Sequence, residues 1–158
     1  MAITFEGVLA DRSTWRLENC SIALAMDVIG TRSSMLILRE ALYGTTRFDD
    51  FARRVGITKA ATSARLSELV AAALLAKQPY REPGQRSRDE YVLTDAGTEF
   101  MPVVWAMFEW GRKHIDDSSL RLSHLGCGAD AGVEIRCTEG HLVPADELAV
   151  RLVRPPRR

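Results

Sequence analysis

Apolar positions recur at helical spacing through the first two-thirds of the chain, punctuated by glycines and by one short extended stretch. Residues 20–29 hold Ile22, Leu24, Ala25, Met26, Val28 and Ile29, which predict a buried helix stopped at Gly30. Residues 33–43 predict a second helix through Met35, Leu36, Leu38 and Leu42, with Gly44 where a helix ends. Arg47 and Phe48 suit a one-rung strand. A short helix to Val55 follows, with Asp49 and Asp50 at its N-terminus, where negative charge is favoured. Gly56 turns the chain, and Thr58 is a good N-cap for the next helix. There Leu66, Leu69, Val70, Ala73 and Leu74 fall at i, i+3, i+4, i+7 and i+8, one apolar stripe.

Residues 75–80 and 90–93 read as two strands around a Pro83-Gly84 turn, with Arg81, Arg86 and Arg88 in the connection. Thr94 or Asp95 caps a long helix to about residue 114, containing Phe100, Val103, Val104, Met107, Phe108, Trp105 and Trp110; Pro102 kinks it or adjusts its first turns. Residues 1–19 lack periodicity and read as an arm packed through Phe5, Trp15 and Leu17. The tail from Ser118 is Gly-rich, carries Cys and His, and turns basic at Arg151, Arg154, Arg157 and Arg158.

The predicted fold is mainly α with a small antiparallel β-wing: a winged helix-turn-helix followed by a long C-terminal helix. Its expected divisions are an arm over 1–19, a central domain over 20–116 and an extension over 117–158. With 158 residues and 46% hydrophobic content, the chain can build a real core. Its net charge of zero does not by itself point to nucleic acid. The distribution does, because residues 31–93 hold 11 Lys/Arg against 7 Asp/Glu. Three cysteines and no secretory signal pattern suit a reducing cytosol, and no apolar run reaches the roughly 18 residues of a membrane span.

A helix that enters a DNA groove needs small residues for close approach and a few polar ones to reach bases. Lys59, Thr62, Ser63 and Arg65, interspersed with alanines and preceded by Thr58, meet that need. Arg47, Arg53 and Arg54 are placed to grip flanking phosphates. Arg81, Arg86 and Arg88 of the wing suit an adjacent minor groove. The bland alternative is a solvated helix with charges that keep a hairpin soluble, or a winged helix that binds protein rather than DNA. Enzyme fingerprints such as GxSxG, the P-loop, HExxH and the dinucleotide motif do not occur.

At Cys20, ALAMDVIG (23–30), LILREAL (36–42), RFDDF (47–51), GITKAATSARLSEL (56–69), EYVLTDAG (90–97) and Trp110, the chain resembles the HxlR-type branch of the MarR-like winged-helix transcription regulators. The resemblance runs from Cys20 to about His114. It implies a homodimer, built through the N-terminal arm and the long C-terminal helix, that binds double-stranded DNA at a pseudo-palindromic operator, with repression the expected outcome. The stripe Trp105, Phe108 and Trp110 suits that interface, or a plain core. The chain departs from the family pattern at Ser21, where Pro is usual, at Ser33, where Trp is usual, and at Ala73, where Gly is frequent.

The resemblance also makes Cys20 a candidate sensor for a small electrophile or oxidant, against the alternative of an inert thiol. In the tail, His124-x2-Cys127 and Cys137-x3-His141 are two pairs of zinc-type ligands nine residues apart, resembling a small zinc ribbon. His141 falls one place later than the last Cys of the related pattern, so a hairpin with unpaired thiols is the competing expectation. No cofactor other than this candidate zinc is expected.

Overall fold

The computed structural model describes residues 3–81, 83–84, 86–115 and 118–152. Arg154, Arg157 and Arg158 lie outside the described residues. The elements are β1 (Thr4–Phe5), α1 (Ser21–Ile29), α2 (Arg32–Leu42), α3 (Phe48–Val55), α4 (Lys59–Ala71), β2 (Leu75–Tyr80), β3 (Arg88–Leu93), α5 (Asp95–Glu99), α6 (Met101–His114) and β4 (Ala149–Val150). They fall into two compact units, one spanning Ile22–Leu120 and the other combining the N-terminal segment with the tail.

In the larger unit, Ile37 and Leu38 of α2, Phe51 of α3, Leu66 and Leu69 of α4 and Leu75 of β2 are almost wholly enclosed. Each such side chain contributes about 1.5–3 kcal/mol by leaving water. The helix-turn-helix corner closes because Gly56 takes a left-handed conformation (φ 71°), letting the Gly56 and Ile57 N–H groups both donate to the Ala52 carbonyl. Thr58 then caps α4, its Oγ1 accepting from the Ala61 N–H at 3.2 Å. β2 and β3 pair antiparallel in the register Leu75↔Leu93 to Tyr80↔Arg88. The one-rung strand expected at Arg47 and Phe48 does not form: Arg47 is the N-cap of α3 and Phe48 its first residue, and a lone hydrogen bond from the Tyr91 N–H to the Thr46 carbonyl joins this segment to β3.

α4 ends in a Schellman turn. The Leu74 N–H donates to the Leu69 carbonyl and the Ala73 N–H to the Val70 carbonyl, with Ala73 at φ 57°. Thr94 docks on this turn, its hydroxyl donating to the Ala73 carbonyl while it caps α5 by accepting from the Gly97 N–H. Gly97 is obligatory for the approach, since a Cβ there would collide with the Leu74 carbonyl.

Two expectations need correction. The predicted helix to residue 114 is two helices broken at Phe100, with Pro102 in the first turn of α6, where its missing N–H costs nothing. α1 is a helix as expected but not a buried one: Ile22, Leu24 and Met26 are more than half exposed and only Ile29 is enclosed. The periodic pattern records apolar character, not what covers it.

The smaller unit also differs from the expected separate arm and extension. β1 pairs in parallel with β4 (Thr4↔Ala149, Phe5↔Val150), so the first residues and the tail share one two-stranded ribbon. Phe5 and Trp15 meet edge to face at 4.8 Å, with the Arg12 guanidinium over both rings, whereas Leu17 stays exposed.

Candidate nucleic-acid interface

The buried face of α4 is fixed by Thr62, Leu66 and Leu69, at i, i+4 and i+7. Lys59, Ala60, Ser63, Ala64, Ser67 and Glu68 consequently face outward. Thr62 is therefore corrected as a candidate DNA contact. It is fully enclosed, and its hydroxyl donates to the Thr58 carbonyl at 2.9 Å. Ser67, overlooked in the sequence, lies one turn beyond Ser63 on the exposed face; the i, i+4 relation to Ser63 was the signal. Thr58 is exposed, but its hydroxyl oxygen serves as the cap of α4.

The cations of α3 and α4 already have intramolecular carboxylates. Lys59 Nζ is 2.8 Å from Asp49, Arg53 is 2.6 Å from Asp50 and Arg65 is 2.6 Å from Glu68. Arg54, half exposed, is 3.7 Å from Glu40, a buried carboxylate that also accepts from Arg39 and from the Thr45 hydroxyl. Lys59 holds the Asp49 carboxyl below its ordinary value, through its hydrogen bond first and its charge second, and Arg88 adds to the effect. Arg88, at the loop end of the wing hairpin, thus acts by its charge on the first turn of α3. Arg81 and Arg86 are exposed in the wing connection.

Arg47 is placed differently from the other cations. Its guanidinium lies 3.0 Å from the centroid of the Tyr80 ring and its Nη1 is 3.6 Å from Glu90. It ties the start of α3 to both wing strands, a clamp within the domain rather than an arm toward solvent.

The other sequence candidates lie elsewhere. Cys20 is half-buried and directly precedes α1, its N–H donating to the Leu17 carbonyl. His124 Nδ1 and Cys127 Sγ are 3.1 Å apart in an exposed turn. Cys137 and His141 face each other across a separate tight turn, the Cys137 N–H donating to the His141 carbonyl around a left-handed Gly140. Among the described residues no three His, Cys, Asp or Glu side chains converge as a metal requires, so the zinc-ribbon expectation does not fit this arrangement.

α6 divides its aromatic residues between two faces. Trp105 stacks on Tyr43 at 5.8 Å and meets Phe108 edge to face, both half-buried. Trp110 is instead exposed and, with Val103, Ala106, Met107, Gly111 and Ile115, lines an open apolar groove. Among the described residues, no single helix is long and apolar enough to cross a membrane.

A helix-turn-helix with an Arg-bearing wing and a polar, small-residue face on its second helix defines a winged-helix DNA-binding domain. The HxlR-like helix-turn-helix family matches residues 28–119, and the chain belongs to that family of transcriptional regulators. An uncharacterised HTH-type transcriptional regulator of Mycobacterium bovis is 33% identical over 143 residues, covering 89% of this chain and 87% of the relative. Among solved structures, the candidate transcription factor PA1607 is 33% identical with a TM-score of 0.73, over 87% of this chain and 96% of that one. The reduced form of the redox regulator HypR is 28% identical with a TM-score of 0.55, over 62% of this chain and 96% of its own.

Proposed function

We propose that the chain acts as a homodimer that reads a pseudo-palindromic operator, inserting one α4 per protomer into successive major grooves and repressing transcription by occupying the site. The observation that carries DNA readout is the outward face of α4, where Lys59, Ser63 and Ser67 are interspersed with Ala60 and Ala64. In this reading Lys59, Ser63, Ser67 and Arg65 face bases or nearby phosphates. Arg53, Arg54, Arg81, Arg86 and Arg88 supply backbone contacts, Thr58 positions α4, and Arg47 holds the wing.

The dimer reading is supported by apolar surface that the single chain leaves open: Ile22, Leu24 and Met26 on α1, and Val103, Met107 and Trp110 on α6. A second copy is the self-complementary partner for such faces. A redox input through Cys20 is supported by its place before α1 and by the likeness to a redox regulator.

Three experiments test these readings. Native mass spectrometry with a duplex from upstream of its own gene is expected to give two chains per duplex. Deleting the gene is expected to raise expression of the adjacent transcript. Cys20→Ser is expected to abolish any quinone or peroxide effect on binding. A one-chain complex, unchanged transcription or a wild-type response of the Cys20→Ser variant contradicts the corresponding part.

A further inference from the structure

Asp49 places an anion on the surface assigned above to DNA. It is largely exposed, and its Oδ1 is 2.8 Å from Lys59 Nζ at the first position of α4. Whatever the first turn of α4 touches therefore comes within reach of this carboxylate. Arg88, the first residue of β3, adds a smaller attraction through its charge. Asp50, its neighbour, pairs within α3 with Arg53 and has no such link to α4.

When Lys59 leaves Asp49 for a phosphate, the carboxylate is exposed to a polyanion. Against phosphate alone that arrangement is repulsive. It is relieved when a base edge offers a hydrogen-bond donor, and in the major groove those donors are the exocyclic amines of cytosine and adenine. Building an unpaired charge against wrong partners is a recognised route to specificity.

We propose that Asp49 is a specificity-determining residue that disfavours sequence-blind DNA and admits sites placing a cytosine or adenine amine beside the N-terminus of α4. This rests on the DNA-binding reading above. The pairing has a second effect: in sequence-blind binding, freeing Lys59 leaves Asp49 to take up a cation, cancelling the counterion that one phosphate releases.

The test starts from duplexes enriched by the wild-type chain from a random library, measured beside a scrambled duplex of equal composition. Asp49→Ala is expected to tighten binding to the scrambled duplex about two- to five-fold, the usual worth of an exposed pair, and to steepen its log K against log salt slope by about 0.9. It is expected to leave the enriched duplex no tighter, and a library selected with it should lose the cytosine or adenine preference at one position per half-site. Asp50→Ala, which removes the same charge, is expected to move both duplexes together. If Asp49→Ala also moves both duplexes by one factor and keeps the selected sequence, the proposal fails while DNA binding stands. If the wild-type chain enriches no sequence, both fail.

Discussion

Thr94 Oγ1 donates to the carbonyl of Ala73 at 2.5 Å, and Ala73 is the described residue other than glycine held at positive φ, 57°. The contact pins the end of α4 to the start of α5, so the left-handed conformation is imposed by both the helix end and its neighbour. An alanine there carries a steric cost that a glycine does not. Ala73→Gly is expected to stabilise the protein by about 1 kcal/mol, read as a rise in melting temperature. A fall would mean that the turn is not held in this conformation.

Thr62 and Ser63 are adjacent yet face opposite ways, which separates stability from binding. Thr62→Ala removes a buried hydrogen bond and leaves a small void, at a cost of about 1–2 kcal/mol. It is expected to lower the denaturation midpoint and leave the salt dependence of DNA binding unchanged. Ser63→Ala is expected to do the reverse, weakening operator binding with a change in stability within about 0.5 kcal/mol. Paired denaturation and binding curves distinguish the two.

The Asp49 carboxyl, lowered from its ordinary value of 3.8 by the Lys59 hydrogen bond, then by the Lys59 charge and then by Arg88, sets a pH dependence. A carboxyl depressed in the folded state contributes stability that is fully present above its unfolded value. That contribution is lost as pH falls through the lower folded value. An NMR titration of the Asp49 side chain is expected to show a midpoint below 3.8 in the wild type and a return toward 3.8 in Lys59→Ala. An unchanged midpoint would remove Lys59 as the cause.

The proposed dimer, if closed through the exposed groove on α6, makes oligomeric state depend on Trp110. Trp110→Asp places a charge among Val103, Met107 and Ile115. It is expected to shift sedimentation to a one-chain species and to cost operator affinity through loss of the second half-site. A variant that sediments like the wild type would place the dimer contact elsewhere.

Much of this site was legible in the sequence because local chemistry fixed it. Gly56 and Thr58 marked the corner and the cap, and the Leu66–Leu69 stripe oriented α4. What was not legible depended on distant partners. The exposure of α1 depends on which surfaces its neighbours leave open, and Arg47 resembled a phosphate contact until Tyr80 and Glu90 came round to meet it. Thr62, a polar residue among alanines, reads as outward in the sequence, although the phase of Leu66 and Leu69 places it inside. The tail pairs matched in ligand type, but each pair closes its own turn, and among the described residues they do not converge on one point.

The central claim is sequence-specific DNA recognition through α4, and fluorescence anisotropy over a series of salt concentrations tests it most directly. The duplex enriched by the wild-type chain is expected to bind at least about a thousand-fold more tightly than a scrambled one. Log K should fall linearly with log salt, and Ser63→Ala should narrow the gap between the two duplexes. Equal affinity for both duplexes, or binding indifferent to salt, would contradict the account.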